Sequence, residues 1–132
     1  MSIQVFFNEE DQIIESHLDE PFDWSIIERM VPQLSHQILE RQCRRILLDF
    51  RGANLHLSTF NVYATPQKLA EEFKKLGIDI RSLKRALIFM PDDGDYRFLE
   101  TVSINQAQTL RIFFDEEMAK AWLTGKKFSG KG

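Results

Sequence analysis

"RRILLDF", residues 44–50, is the segment on which the fold turns. Ile46, Leu47 and Leu48 follow one another without a polar break, and Phe50 comes after a single aspartate, Asp49. An unbroken apolar run of strand length belongs to a strand covered on both faces, the usual condition of a parallel sheet. "RALIFM" (85–90) and "LRIFF" (110–114) repeat the pattern downstream. The stretches between these runs carry helical spacing. Apolar strands alternating with helices imply crossover connections, and a sheet flanked by helices.

The helices are marked by their periodicity. From Asp23 to Glu40, Ile27, Val31, Leu34 and Ile38 recur at steps of three or four and line one face. Asp23 is the expected cap. Pro32 removes a donor and clashes with the preceding turn at a cost of about 3 kcal/mol, which predicts a kink or two short helices. "TPQKLAEEFKKLG" (65–77) reads as a helix capped by Thr65, with Pro66 in its first turn and Gly77 as its stop. Leu69, Phe73 and Leu76 form its apolar stripe, and Glu71 faces Lys75 on the outside. "YRFLETVSINQAQ" (96–108) is the next predicted helix, with Phe98, Leu99 and Val102 inward. "DEEMAKAWL" (115–123) is the last: Asp115 caps it, acids occupy its positive end, and Met118 and Trp122 lie four apart.

Ahead of the first helix, "IQVFF" (3–7) and "QIIESHL" (12–18) flank the polar turn "NEED" and read as a hairpin. In the second strand Ile14, Ser16 and Leu18 share one face, and Ile13, Glu15 and His17 the other; so imperfect an alternation suggests a sheet edge. The expected order is ββαβαβαβα, an α/β fold with a mixed β-sheet of five strands flanked by helices. It forms one domain over residues 1–125, and 126–132 are expected to be a flexible basic tail.

Composition narrows the function classes. The chain has 132 residues, 43% hydrophobic and 28% charged, the balance of a soluble globular domain. Its net charge of −3 is spread along the chain, without the basic face of a nucleic-acid binder. The single cysteine, Cys43, has no internal disulfide partner and fits a reducing compartment. No apolar run approaches the roughly 18 residues of a membrane span, and the start lacks the pattern of a signal peptide, so a cytoplasmic protein is expected.

Chemistry-bearing motifs are sparse. Glycines at 52, 77, 94, 125, 130 and 132 make neither a dinucleotide fingerprint nor a P-loop. His17, His36 and His56 lie on different elements without metal-ligand spacing, and are read as surface or satisfied histidines. Cys43, beside Arg44 and Arg45, is read as an inert thiol. Asp49, Asp92, Asp93, Asp95 and Asp115 gather at strand ends, where sheet sites lie. They form either a Mg²⁺ mouth or a set of separate caps, and capping is the simpler account.

Residues 95–123, "DYRFLETVSINQAQTLRIFFDEEMAKAWL", following "RALIFMPDD", resemble the SpoIIAA-like branch of the STAS superfamily, small bacterial proteins with the fold of anti-sigma-factor antagonists. The match lies in the Phe-Leu-Glu-Thr-Val run at 98–102 and the Ala-Lys-Ala-Trp-Leu close at 119–123. It implies a mixed sheet flanked by helices. In such antagonists an Asp-Ser-Ser-Gly motif after a strand carries the phosphorylated serine. Counted from Asp49, that motif falls on Leu57, Ser58, Thr59 and Phe60, which keeps hydroxyls at both central places. The resemblance implies Ser58 and Thr59 as switch or interaction positions, and Arg51 is the cation that would pair with an added phosphate. The competing account is that Ser58 or Thr59 caps a helix running through "TFNVYA".

The expectation is a non-enzymatic module acting through a protein partner or through self-association, with no cofactor, no metal and no nucleic acid. The alternative is a binder of a small apolar, lipid-like ligand beside the Pro32 segment. A Mg²⁺-dependent enzyme on the acidic mouth comes third.

Overall fold

The computed structural model describes residues 3–19, 24–52, 59–90 and 108–125. The chain builds an α/β fold: a five-stranded mixed sheet with three helices in the described residues. The strands are β1 (Ile3–Asn8), β2 (Ile13–Leu18), β3 (Arg45–Asp49), β4 (Lys84–Ile88) and β5 (Thr109–Phe113). The helices are α1 (Trp24–Arg41), α2 (Thr59–Lys75) and α3 (Glu116–Thr124), with a short 3₁₀ turn at Ile80–Ser82. The predicted helix at 96–108 and the tail at 126–132 lie outside the described residues, apart from Gln108, which immediately precedes β5.

The strands lie in chain order, β1-β2-β3-β4-β5. β1 and β2 form the antiparallel hairpin; β2 through β5 run parallel. The central position of β3 explains its unbroken apolar run, since Ile46 packs on one face and Leu47 on the other. β2 is not an edge. It lies between β1 and β3, and both Glu15 and Ser16 are buried. Glu15 and His17 are held by hydrogen-bonding neighbours, whereas the Ser16 hydroxyl is buried with no partner among the described residues.

Monotonic strand order has a consequence for the two faces. Right-handed crossovers between consecutive parallel neighbours all pass over the same side. α1 and α2 accordingly share one face, where Ile27, Val31, Leu34, Ile38, Leu69 and Phe73 pack on Ile14, Ile46, Leu48 and Leu87. Among the described helices α3 takes the opposite face, where its Ala119 and Leu123 cover Ile13, Leu47, Ala86 and Ile88. α3 has only nine residues and sits over the β3–β4 part of this face. Toward the β1–β2 side, the cover is polar.

Two helices differ from their sequence reading. α1 continues through Pro32 as a single element of 18 residues. Pro32 is exposed, and so is Glu28, the residue four earlier whose carbonyl it deprives of a partner. The inner face of α1 is buried against the sheet, and the neighbourhood of Pro32 proposed for an apolar ligand is occupied by Ile27, Val31 and Leu34. α2 begins at Thr59 rather than at Thr65, which places Pro66 inside the helix and removes Thr65 as its cap. The two segments "TFNVYA" and "TPQKLAEEFKK" are one helix.

The C-terminus of α2 stops as expected, with Gly77 at φ +84° and the Ile78 amide donating back to the Phe73 carbonyl at 3.0 Å. That reversal ends the stripe at Phe73: Leu76 is exposed and Ile78 fills the core instead. Lys75 pairs with Glu72 at 2.9 Å rather than with Glu71. At α3, Asp115 caps as expected, its Oδ2 accepting from the Met118 amide at 3.0 Å. Trp122 tilts against Phe113, and the Lys84 ammonium lies 4.5 Å from its ring centroid. Met118 is exposed.

Candidate functional site

The polar cover beside α3 is a closed ring of side chains at the carboxyl ends of β2 and β3. Strand geometry places its first members. Glu15 and His17 are two apart on β2 and share a face; His17 is in register with Asp49 across the parallel β2–β3 pair. The His17 imidazole lies between two carboxylates, with Nε2 2.9 Å from Glu15 Oε1 and Nδ1 3.2 Å from Asp49 Oδ2. Both contacts are hydrogen bonds only while the ring carries both its protons.

From Asp49 the ring passes to Arg51 in the loop after β3. The Arg51 amide and Nε both donate to Asp49 Oδ1 at 3.0 Å, and Nη2 donates to Oδ2 at 2.8 Å. This fork is the bidentate arrangement that guanidinium groups favour. Nη2 also reaches Glu116 Oε1 of α3 at 3.3 Å. Glu116 Oε2 meets Lys120 Nζ at 2.9 Å, and Lys120 closes the ring on Glu15 Oε2 at 3.4 Å. Asn8 supports it from the hairpin, donating to Glu15 at 2.6 Å and to Asp11 at 3.1 Å.

The electrostatics follow from burial opposed by these partners. Burial pushes the Glu15 carboxyl up, and hydrogen bonds from Asn8 and His17 with the Lys120 charge outweigh it, so the group ends below the ordinary carboxylate range. Burial likewise acts upward on Asp49, and the Arg51 fork brings it below the ordinary value. Burial pulls the Lys120 ammonium down, but Glu116 and Glu15 hold its proton more firmly than water would. All three stay charged near neutrality.

The rim is reachable from solvent: the side chains of His17, Arg51 and Glu116 are 32%, 36% and 37% exposed. Phe6 of β1 stacks on the imidazole, with centroids 5.8 Å apart and planes 3° from parallel. Beside the ring is a hollow of about 210 Å³ lined by Gln4, His17, Leu18, Asp19, Asp49 and Gly52. Here the loop presses on the end of β2, and a Cβ at Gly52 would stand 3.2 Å from Asp19 Cβ.

Of the expected site residues, Arg51 is a member of the ring. It is already engaged by two carboxylates rather than held ready for a phosphate. Thr59 is the first residue of α2, and Ser58 lies outside the described residues. The acids separate into distinct roles. Asp49 is ion-paired and Asp115 caps α3, whereas Asp92, Asp93 and Asp95 lie outside the described residues. Among the described residues no three His, Cys, Asp or Glu side chains are placed to hold a metal ion. Cys43 is buried, with Sγ 3.4 Å from the Gln12 carbonyl oxygen.

Sequence reasoning missed Glu15, Lys120 and the role of His17. Their shared-face spacing was visible, but the register joining His17 to Asp49 and the placement of α3 are nonlocal. No helix in the described residues is long and apolar enough to cross a membrane. No known family model matches the chain, and no curated protein matches it.

Proposed function

We propose that the chain is a non-enzymatic, STAS-like binding module of SpoIIAA-like type, acting in the cytoplasm through protein contact at the ring and the adjoining loop after β3. The observation that carries this reading is the state of His17. Both ring nitrogens face carboxylates, and those carboxylates are themselves held by Asn8, Lys120 and Arg51. General acid–base work needs a nitrogen directed at a substrate proton. Here the groups satisfy one another and form a charged rim around a shallow hollow, a surface of fixed shape for a partner to read.

Within this reading Ser58 and Thr59 are the switch positions. A phosphate at the head of α2 would carry a charge of about −1.5 to −2 and compete with Asp49 and Glu116 for Arg51. The edge strands β1 and β5 offer a second copy of the chain as the other class of partner, and Phe6 and Phe114 are exposed near them.

The test is capture of partners from native lysate by the unmodified chain, Arg51→Glu and Thr59→Glu, each checked by its melting curve. A specific protein held by the unmodified chain and lost from both folded variants supports the proposal. Identical partners for all three, or none for any, contradicts it.

A further inference from the structure

The opposite face of the sheet contains a buried cation that the ring does not use. Arg85 of β4 is 2% exposed and lies among the core side chains on the α1–α2 side. Its Nη2 donates to the side-chain oxygen of Gln108, a neutral group. Its Nε has no partner, and no carboxylate meets the guanidinium among the described residues. Burial lowers its pKa only to about 10, so the charge persists at neutral pH with no counter-ion among the described residues.

Gln108 links this cation to a cavity. It is itself buried, and its Nε2 donates to the Pro66 carbonyl inside α2 at 3.0 Å, which turns its oxygen toward Arg85. The same residue lines a cavity of about 460 Å³ between the end of α2 and the 3₁₀ turn. Ala70, Ile78 and Ile80 supply apolar wall, and Lys74, Arg81 and Asp79 supply the charges. Arg81 is matched by Asp79 at 3.0 Å, whereas Lys74 makes no ion pair with a described residue. The volume is in the range of small-molecule sites, with apolar walls and a few convergent polar groups.

We propose that this cavity binds a small monocarboxylate with a short apolar body, its charge directed between Lys74 and the Gln108–Arg85 pair and its body against Ile78 and Ile80. The carboxylate adds negative charge beside Gln108, the residue that holds the buried guanidinium, which no carboxylate of a described residue meets. This site is on the other side of the sheet from the ring, so the proposal stands or falls separately from the binding module.

The probe is sodium octanoate, titrated into the isotopically labelled full chain and followed by amide resonances, with octanol as the uncharged control. The expected result is saturable movement of the Ala70, Ile78, Ile80 and Gln108 signals by octanoate. Octanol should bind about tenfold or more weakly, and Lys74→Gln should weaken octanoate by about tenfold, the scale of one lost charge-assisted hydrogen bond. Lys74 is exposed, so this variant keeps the fold. The proposal is overturned if octanoate moves none of these signals at millimolar concentration, if octanol binds equally well, or if Lys74→Gln binds octanoate unchanged.

Discussion

His17 and Asp49 face one another across neighbouring parallel strands, with imidazole Nδ1 3.2 Å from carboxylate Oδ2. This contact joins the hairpin half of the sheet to the loop that carries Arg51. The ring of ion pairs fills the part of the sheet face that a nine-residue α3 does not cover with apolar side chains.

The ring makes stability depend on acidity. Glu15 and Asp49 both fall below their ordinary values of 4.5 and 3.8 in the folded chain. A depressed carboxyl contributes stability that is complete above the unfolded value and is lost as pH falls through the folded one. The melting temperature should therefore hold from neutrality to just above 4.5 and decline below it. Asp49→Asn should cost about 1–3 kcal/mol at neutral pH and markedly less near pH 3, below the 3.8 at which the unfolded carboxylate takes up its proton. Urea melts at both pH values measure the difference; equal losses would remove Asp49 from the ring's energetics.

Arg51 tests the fork. Its side chain is more than a third exposed, so solvent screens its pairs and Arg51→Ala should cost about 1 kcal/mol or less. Arg51→Lys keeps the charge and loses the two-pronged geometry, and should recover only part of that loss. Full recovery in chemical denaturation would mean that charge alone matters there.

Leu47 tests the small core beneath α3. It is fully buried against that helix, and Leu47→Ala should cost about 2–5 kcal/mol by lost transfer energy and cavity formation. A loss below about 1 kcal/mol in equilibrium unfolding would show that α3 is not firmly seated.

Gly77 tests the stop of α2. Its φ of +84° strains any residue with a Cβ, and Gly77→Ala should cost about 1 kcal/mol, with Gly77→Asn costing less. No steric contact confuses the comparison, since a Cβ there would meet nothing within 4 Å. Equal melting curves for the glycine and alanine chains would contradict the strained reversal.

Much of the fold was legible where one local pattern dominated. The continuous apolar runs of β3 and β4 announced covered strands, and the spacing of Ile27, Val31, Leu34 and Ile38 announced α1. Reading failed where local signals competed with packing. Pro66 looked like a helix start because a proline is least costly there, yet α2 runs seven residues further toward the N-terminus. Leu76 looked like a third member of a stripe, but the reversal at Gly77 comes first. For the site, Arg51 was legible as a free cation beside the β3 loop. Its partners were not, because the His17–Asp49 register and the seating of Glu116 and Lys120 belong to no single stretch of sequence.

The most direct test of the ring as a protein-contact surface is an amide hydrogen-exchange footprint of the chain with and without its captured partner. The expected result is slowed exchange confined to residues 15–19, 49–52 and the first turn of α3. Protection at the α1–α2 face with the ring unchanged would contradict it.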